Sequence, residues 1–150
     1  MIISGIPDNI DQKNLEEKVL FILHSLGGLN SLSSYNISAC HRLMKKKHDK
    51  FPAQTIVRFT NRKIVNHCLR NRNILLEQKD YLGMNLRFFE SLCESNKNVY
   101  NECFNLKKKG FIEEYYIRNG FVKVIIKNGD KPKKIHHPDD LYYYFKEFYD

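Results

Sequence analysis

The spacing of hydrophobic and polar positions changes several times along this chain, and each change marks an element. "MIISGIP" is a short apolar run closed by a proline and reads as a strand. "DNIDQKNLEEKVLFILHSLGG" takes a helical period. Leu15, Val19, Ile22, Leu23 and Leu26 share one stripe, and Gly27-Gly28 ends it. "YNISACHRLM" alternates, so a second strand is expected with Ile37, Ala39 and His41 on one side and Ser38, Cys40 and Arg42 on the other. A charged loop, "KKKHDKFP", leads to "AQTIVRF", a third strand. There Thr55, Val57 and Phe59 face one way, and Gln54, Ile56 and Arg58 the other. "NRKIVNHCLRNRNILL" is a second helix with Ile64, Val65, Cys68 and Leu69 inward, and "MNLRFFE" is a fourth strand.

The order β-α-β-β-α-β predicts an α+β fold over residues 1–90: a ferredoxin-like, four-stranded antiparallel sheet with both helices on one face and the other face open. From about residue 91 the pattern starts afresh. "SLCESNKNVYNECFNLKKKG" is an amphipathic helix through Val99, Cys103 and Leu106, with Gly110 as its C-terminal cap. "IEEYYIRNGFVKVIIKNGD" is a hairpin turning at Asn119-Gly120, and "KKIHH" can add a short strand. "PDDLYYYFKEFYD" opens on Pro138 and Asp139 as helix starts prefer, and Leu141, Tyr144, Phe145 and Phe148 take core spacing. The second domain, 91–150, is therefore expected to be a small α-β-β-α unit.

Charge adds a direction to this frame. Lysine and arginine number 25 against 17 acids, a formal net charge of +8, which attracts polyanions such as nucleic acid or an anionic membrane surface. The first forty residues hold Lys13 and Lys18 against Asp8, Asp11, Glu16 and Glu17, so all of the excess lies beyond them. The start of the chain lacks the basic segment of a secretory signal, and no apolar run approaches the ~18 residues of a membrane span. With four cysteines and no leader, an intracellular protein with reduced thiols is expected, in nucleus or cytoplasm. The cysteine and histidine spacings match no zinc pattern.

The cations recur at many sites. Arg42 and the run Lys45, Lys46, Lys47 end the second strand. Arg58 lies on the third strand and Arg87 on the fourth. Arg62, Lys63, Arg70 and Arg72 lie on the second helix. Lys107, Lys108 and Lys109 end the third helix, where they suit its dipole. Arg118, Lys123 and Lys127 lie on the hairpin, Lys123 and Lys127 on one face by parity. Cations spread over both domains suit a phosphate backbone better than one compact ligand. The two central strands of the first sheet expose Ile2, Ser4, Gln54, Ile56 and Arg58, without an aromatic among them, so base stacking in the manner of an ordinary RNA-recognition motif fits poorly. Tyr115 and Tyr116 face opposite ways, so one is available to stack. Catalysis finds no footing: there is no Gly-rich phosphate loop, no paired carboxylates and no nucleophile elbow, and Cys40 and His41 point apart. A non-enzyme without cofactor or small-molecule substrate is expected.

"ISGIP", "ISACHRL", "PAQTIVRF", "LGMNLRFFESL", "LKKKGFIEEYYIRNGFVKVI" and "DDL", in this order, resemble the few-polyhedra (FP) protein family of baculoviruses and insect genomes. That family is related to the nucleic-acid-binding part of the first-open-reading-frame proteins of LINE retrotransposons, and the resemblance spans nearly the whole chain. It implies an atypical RNA-recognition-motif domain followed by a small C-terminal domain. The two would hold single-stranded RNA or DNA in the cleft between them, with little sequence preference and chaperone-like action. By motif it carries the binding role to Arg58, Arg42 and Arg87. The relatives self-associate through a coiled coil before the first strand; no heptads precede it here, so a homo-oligomer would need a segment absent from this chain. The rival expectation is a viral or transposon-derived adaptor whose open sheet meets another protein through Ile2 and Ile56.

Overall fold

The structure is a computed structural model and describes residues 1–45, 48–78 and 82–146. Lys46 and Lys47 of the lysine run, and Phe148 of the last helical stripe, lie outside the described residues. The chain is α+β and divides into two compact units, Met1–Glu90 and Ser91–Asp150, each with its own hydrophobic cluster.

In the first unit the elements run β1 (Ile2–Ser4), α1 (Gln12–His24), β2 (Ile37–Arg42), β3 (Thr55–Phe59), α2 (Arg62–Arg70), α3 (Ile74–Glu77) and β4 (Arg87–Phe89). Every strand pair is antiparallel and the order across the sheet is β2-β3-β1-β4. Helix α1 starts where Asp11 accepts a hydrogen bond from the Asn14 N–H at 2.9 Å, meeting one of the unpaired donors of the first turn. Its stripe, Leu15, Val19, Ile22 and Leu23, is fully buried against Ile3, Val57 and Phe88 of the sheet, together with Ile64, Val65 and Cys68 of α2. Both helices therefore cover the same face, at about 1.5–3 kcal/mol for each large apolar side chain removed from water. The second helix is shorter than its pattern predicts. It stops at Arg70, and the chain turns through Asn71 before α3.

Gly5 follows β1 at φ +95°, and a Cβ there would collide with the backbone carbonyl oxygen of Asn85. Only glycine lets the exit of β1 pass so close to the approach to β4.

Strand β2 departs from simple alternation. Ile37 pairs with Phe59, but Ala39 pairs with Arg58, so Ser38 is an extra residue in a β-bulge. Beyond the bulge Cys40 stands opposite Val57 and Arg42 opposite Thr55, both on the covered face. Ile37 thus shares its side with Cys40 and Arg42, not with Ala39 and His41 as strict alternation expects. A bulge leaves no mark in a period-two pattern.

The second unit runs α4 (Glu94–Lys108), β5 (Glu114–Arg118), β6 (Phe121–Ile125), β7 (Lys133–Ile135) and α5 (Pro138–Phe145), with the antiparallel order β5-β6-β7. Asn119 and Gly120 form the two-residue turn, at φ 55° and 81°. The half-buried chain end of that turn is tied down by Asn96, whose Nδ2 donates to the Gly120 carbonyl at 2.6 Å. Val99, Cys103 and Leu106 of α4 and Leu141 and Phe145 of α5 pack with Val122, Val124 and Ile135, so one face of this sheet is covered too. Two expectations change. Tyr144, assigned to the core by spacing, is exposed with the Lys133 Nζ 4.4 Å from its ring centre. Lys127 lies past the end of β6, in a turn where its N–H donates to Asp130 and its carbonyl accepts from the Asp130 N–H. Strand parity with Lys123 therefore does not apply to it.

Candidate functional site

Each sheet leaves one face uncovered, and the ladder register places the side chains on it. On the first sheet the open face carries Ala39 and His41 of β2, Ile56 and Arg58 of β3, Ile2 and Ser4 of β1, and Arg87 and Phe89 of β4. One row runs straight across all four strands: His41 is paired with Ile56, Ile56 with Ile2, and Ile2 with Phe89. The isoleucines are half-buried and His41 and Phe89 are exposed, Phe89 by 41%. Arg58 stands on one side of the row and Arg87 on the other. Both are exposed, and neither guanidinium has a partner among the described residues. None of these eight strand positions is a carboxylate.

On the second sheet the open face carries Glu114, Tyr116 and Arg118 of β5, Phe121, Lys123 and Ile125 of β6, and Lys134 of β7. Tyr116, Lys123 and Lys134 form one cross-strand row. The Lys134 Nζ lies 3.4 Å from the centre of the Phe121 ring, a cation–π contact, and the His136 ring is 5.6 Å from Phe121, centre to centre. Arg118 pairs with Phe121 and continues the cationic surface. Of the two tyrosines, Tyr115 turns inward against the core and meets Tyr100 edge-on at 5.0 Å, which leaves Tyr116 outward.

No family model matches the chain, and no curated protein matches it.

The remaining candidate cations lie elsewhere. Arg42 is on the covered side of β2 and donates to three backbone carbonyls: Ile6 at 2.8 Å, Ala53 at 2.9 Å and Pro7 at 2.6 Å. Burial pushes its pKa below the ordinary arginine value. It joins the exit of β1 to the entry of β3. Asp8 completes the junction, accepting from Ala53 N and from the Lys45 ammonium, both at 2.8 Å. The Lys45 hydrogen bond, then that of Ala53, holds this carboxyl below its usual range. Lys45, the one described member of the lysine run, is thus already paired.

Arg62, the first residue of α2, is ion-paired with Glu90, whose side chain is only 6% exposed. A cation in a first turn opposes the helix dipole, and Glu90 offsets it. Lys63 and Arg70 are exposed on α2 and Lys107, Lys108 and Lys109 at the end of α4, all in the helical layers rather than on an open sheet face. The fold therefore brings Arg58 with Arg87, and Arg118 with Lys123, onto open faces.

The sequence reading missed Phe89 and Lys134 as members of these faces. Both carried a signal. In "RFF" a buried Phe88 forces its neighbours Arg87 and Phe89 outward together, and in "KKI" a buried Ile135 does the same for Lys134.

The cysteines are free, and burial pushes the Cys40 thiol up to about 11 and those of Cys68 and Cys103 up to about 12. A thiol kept in its neutral form is a poor nucleophile. His67 is held by its ring nitrogen on the Gly27 carbonyl at 2.9 Å. Among the described residues no group of three histidine, cysteine or acidic side chains could hold a metal ion.

Proposed function

We propose that this protein is a non-catalytic holder of single-stranded nucleic acid, with little sequence preference, that grips phosphates through cations on its open sheet faces. One observation carries the reading: Lys123 and Lys134 stand directly opposite each other on the open face of the second sheet, with Arg118 one step away and no carboxylate in their row. Like charges placed opposite on a sheet repel. An anion laid over them turns that repulsion into binding, and Tyr116 at the end of the row offers a ring to a base. The spread of unpartnered cations over both units supports a polyanion with many phosphates rather than a small one.

The same proposal includes the finer fold. The element order and the strand order β2-β3-β1-β4, with both helices on one face, support a ferredoxin-like, atypical RNA-recognition module for the first unit, in keeping with the resemblance to the few-polyhedra family.

Fluorescence anisotropy with a labelled single-stranded RNA of about 20 nucleotides, titrated between ~50 and ~200 mM salt, tests this. Affinity is expected to fall steeply with salt, and K123A with K134A to lower it on every sequence alike and flatten the salt slope by about 0.7 per lost phosphate contact. Affinity and slope unchanged in the double variant would overturn the reading.

A further inference from the structure

The open face of the second sheet has another row, one step along from Tyr116, Lys123 and Lys134. Arg118 stands opposite Phe121, and His136, the first residue past β7, takes the next place beside Phe121, because Val122 stands opposite Ile135. The imidazole lies 5.6 Å from the Phe121 ring, centre to centre, tilted by 55°, and the Lys134 Nζ lies 3.4 Å from the centre of the same ring. Phe121 is thus the platform against which Lys134 and His136 are both set. The backbone of His136 is fixed as well. Its N–H donates to Asp140 Oδ2 at 2.8 Å, and the His137 N–H donates to the same oxygen at 3.1 Å. The residue is exposed, and neither nitrogen of its ring has a hydrogen-bond partner among the described residues.

Histidine is the side chain whose ordinary titration falls between pH 5 and 8. The charged groups around this one come from every element beside it. Lys134, two residues back on the same side of β7, Lys123 of β6 and Arg118 of β5 all disfavour a positive ring, as does the positive end of α5. Asp140 favours one, but its carboxylate is already engaged by the two backbone N–H groups, which hold it below the usual carboxylate range. Asp139 is taken up by the His137 ring at 3.1 Å. A phosphate laid over Lys123 and Lys134 changes this balance, because it brings an anion to an imidazole that has a free nitrogen to donate from. We infer that His136 is a conditional member of the grip: it takes up a proton as a phosphate arrives, so that the second unit binds nucleic acid together with a proton. The inference rests on the proposed function and adds its regulation. An anion within ~4–6 Å strengthens proton binding by about tenfold or more, and linkage returns the same factor to the anion. The protonated ring is the one that holds phosphate, so affinity rises as pH falls through the histidine range and is lowest above it. Arg118, Lys123 and Lys134 stay charged throughout and supply the constant part of the grip.

The test is anisotropy of the full chain with a labelled strand of about 20 uridines, whose bases stay neutral, at about pH 5.5 and about pH 8 and one low ionic strength. Binding is expected to be roughly five- to tenfold tighter at the lower pH. H136Q should bind like the unaltered chain at the higher pH and lose most of the gain at the lower. H136K, charged at both, should bind at the higher pH as tightly as the unaltered chain does at the lower. H41Q, which removes the histidine on the open face of the first sheet, should leave the gain in place. Calorimetry at about pH 7 in two buffers of different ionisation heat should count about half a proton taken up per bound chain, and almost none for H136Q. A gain or a proton count that survives H136Q, an H136K that weakens binding, or an unaltered chain that binds equally at both pH values would overturn the inference, while binding that still falls with salt leaves the phosphate grip standing. Failure to bind at low salt at either pH would overturn both readings.

Discussion

At the scale of single residues the structure separates cations that hold the protein together from those that face outward. Arg42 and Arg58 are both arginines on adjacent strands, yet Arg42 has three carbonyls within hydrogen-bond distance and Arg58 has no side-chain partner among the described residues. A charged donor to a buried carbonyl is worth about 1.5–3 kcal/mol. Arg42→Ala is therefore expected to lower the stability of the chain by about 3 kcal/mol in urea unfolding, while the protein that remains folded binds nucleic acid as before. Arg42→Lys should recover only part of the loss, since an ammonium lacks the planar fork that reaches Ile6, Pro7 and Ala53 together. A variant that keeps its stability but loses affinity would place Arg42 at the ligand after all. Sequence alone cannot make this distinction: alternation assigns a face, and the face of Arg42 depends on which side the helices cover.

Elements show more clearly what was legible. The stripe of α1 from Leu15 to Leu23 and the Asn119-Gly120 turn are local signals, set by the 3.6-residue period and by positive φ angles, and both stand where the pattern puts them, although α1 ends at His24, before Leu26 and the double glycine expected to stop it. What the pattern missed depends on pairing. The bulge in β2 and the end of β6 before Lys127 both follow from which residue stands opposite which, information that a single strand does not carry. Gly5 belongs here as well. Its need for glycine arises only because Asn85, eighty positions away, passes against it. Gly5→Ala is expected to cost about 2 kcal/mol or more, from the left-handed backbone and the clash together, and thermal unfolding would show it. An unchanged melting temperature would mean that β1 leaves the sheet by another path. Gly27, where a Cβ meets nothing within 4 Å, should lose less on the same change.

For the whole molecule, the proposed function would give the chain two binding faces, one on each unit. Two weak sites on one chain act together once the ligand is long enough to occupy both, and the gain is set by effective concentration rather than by any new contact. The cost of K123A with K134A is thus expected to grow with strand length: small on a strand of about 6 nucleotides, which one face can fill, and largest on one of about 30. Anisotropy over a series of lengths measures this. A cost that stays the same at every length would assign all of the binding to one unit. The net charge of +8 adds a salt-dependent attraction to every length, so the series is best run at fixed ionic strength.

Strand β2 contains one residue more than its ladder uses, the extra Ser38 between Ile37 and Ala39. That surplus gives the gene room for error. Losing one codon anywhere from Ser38 to Cys40 would draw the bulge straight, and Ile37, His41 and Arg42 would keep the faces they have now. The same loss from β3, whose five residues alternate without interruption, would turn half of that strand inside out. Deletions that spare the protein should therefore gather at one edge of the first sheet and be missing from its centre.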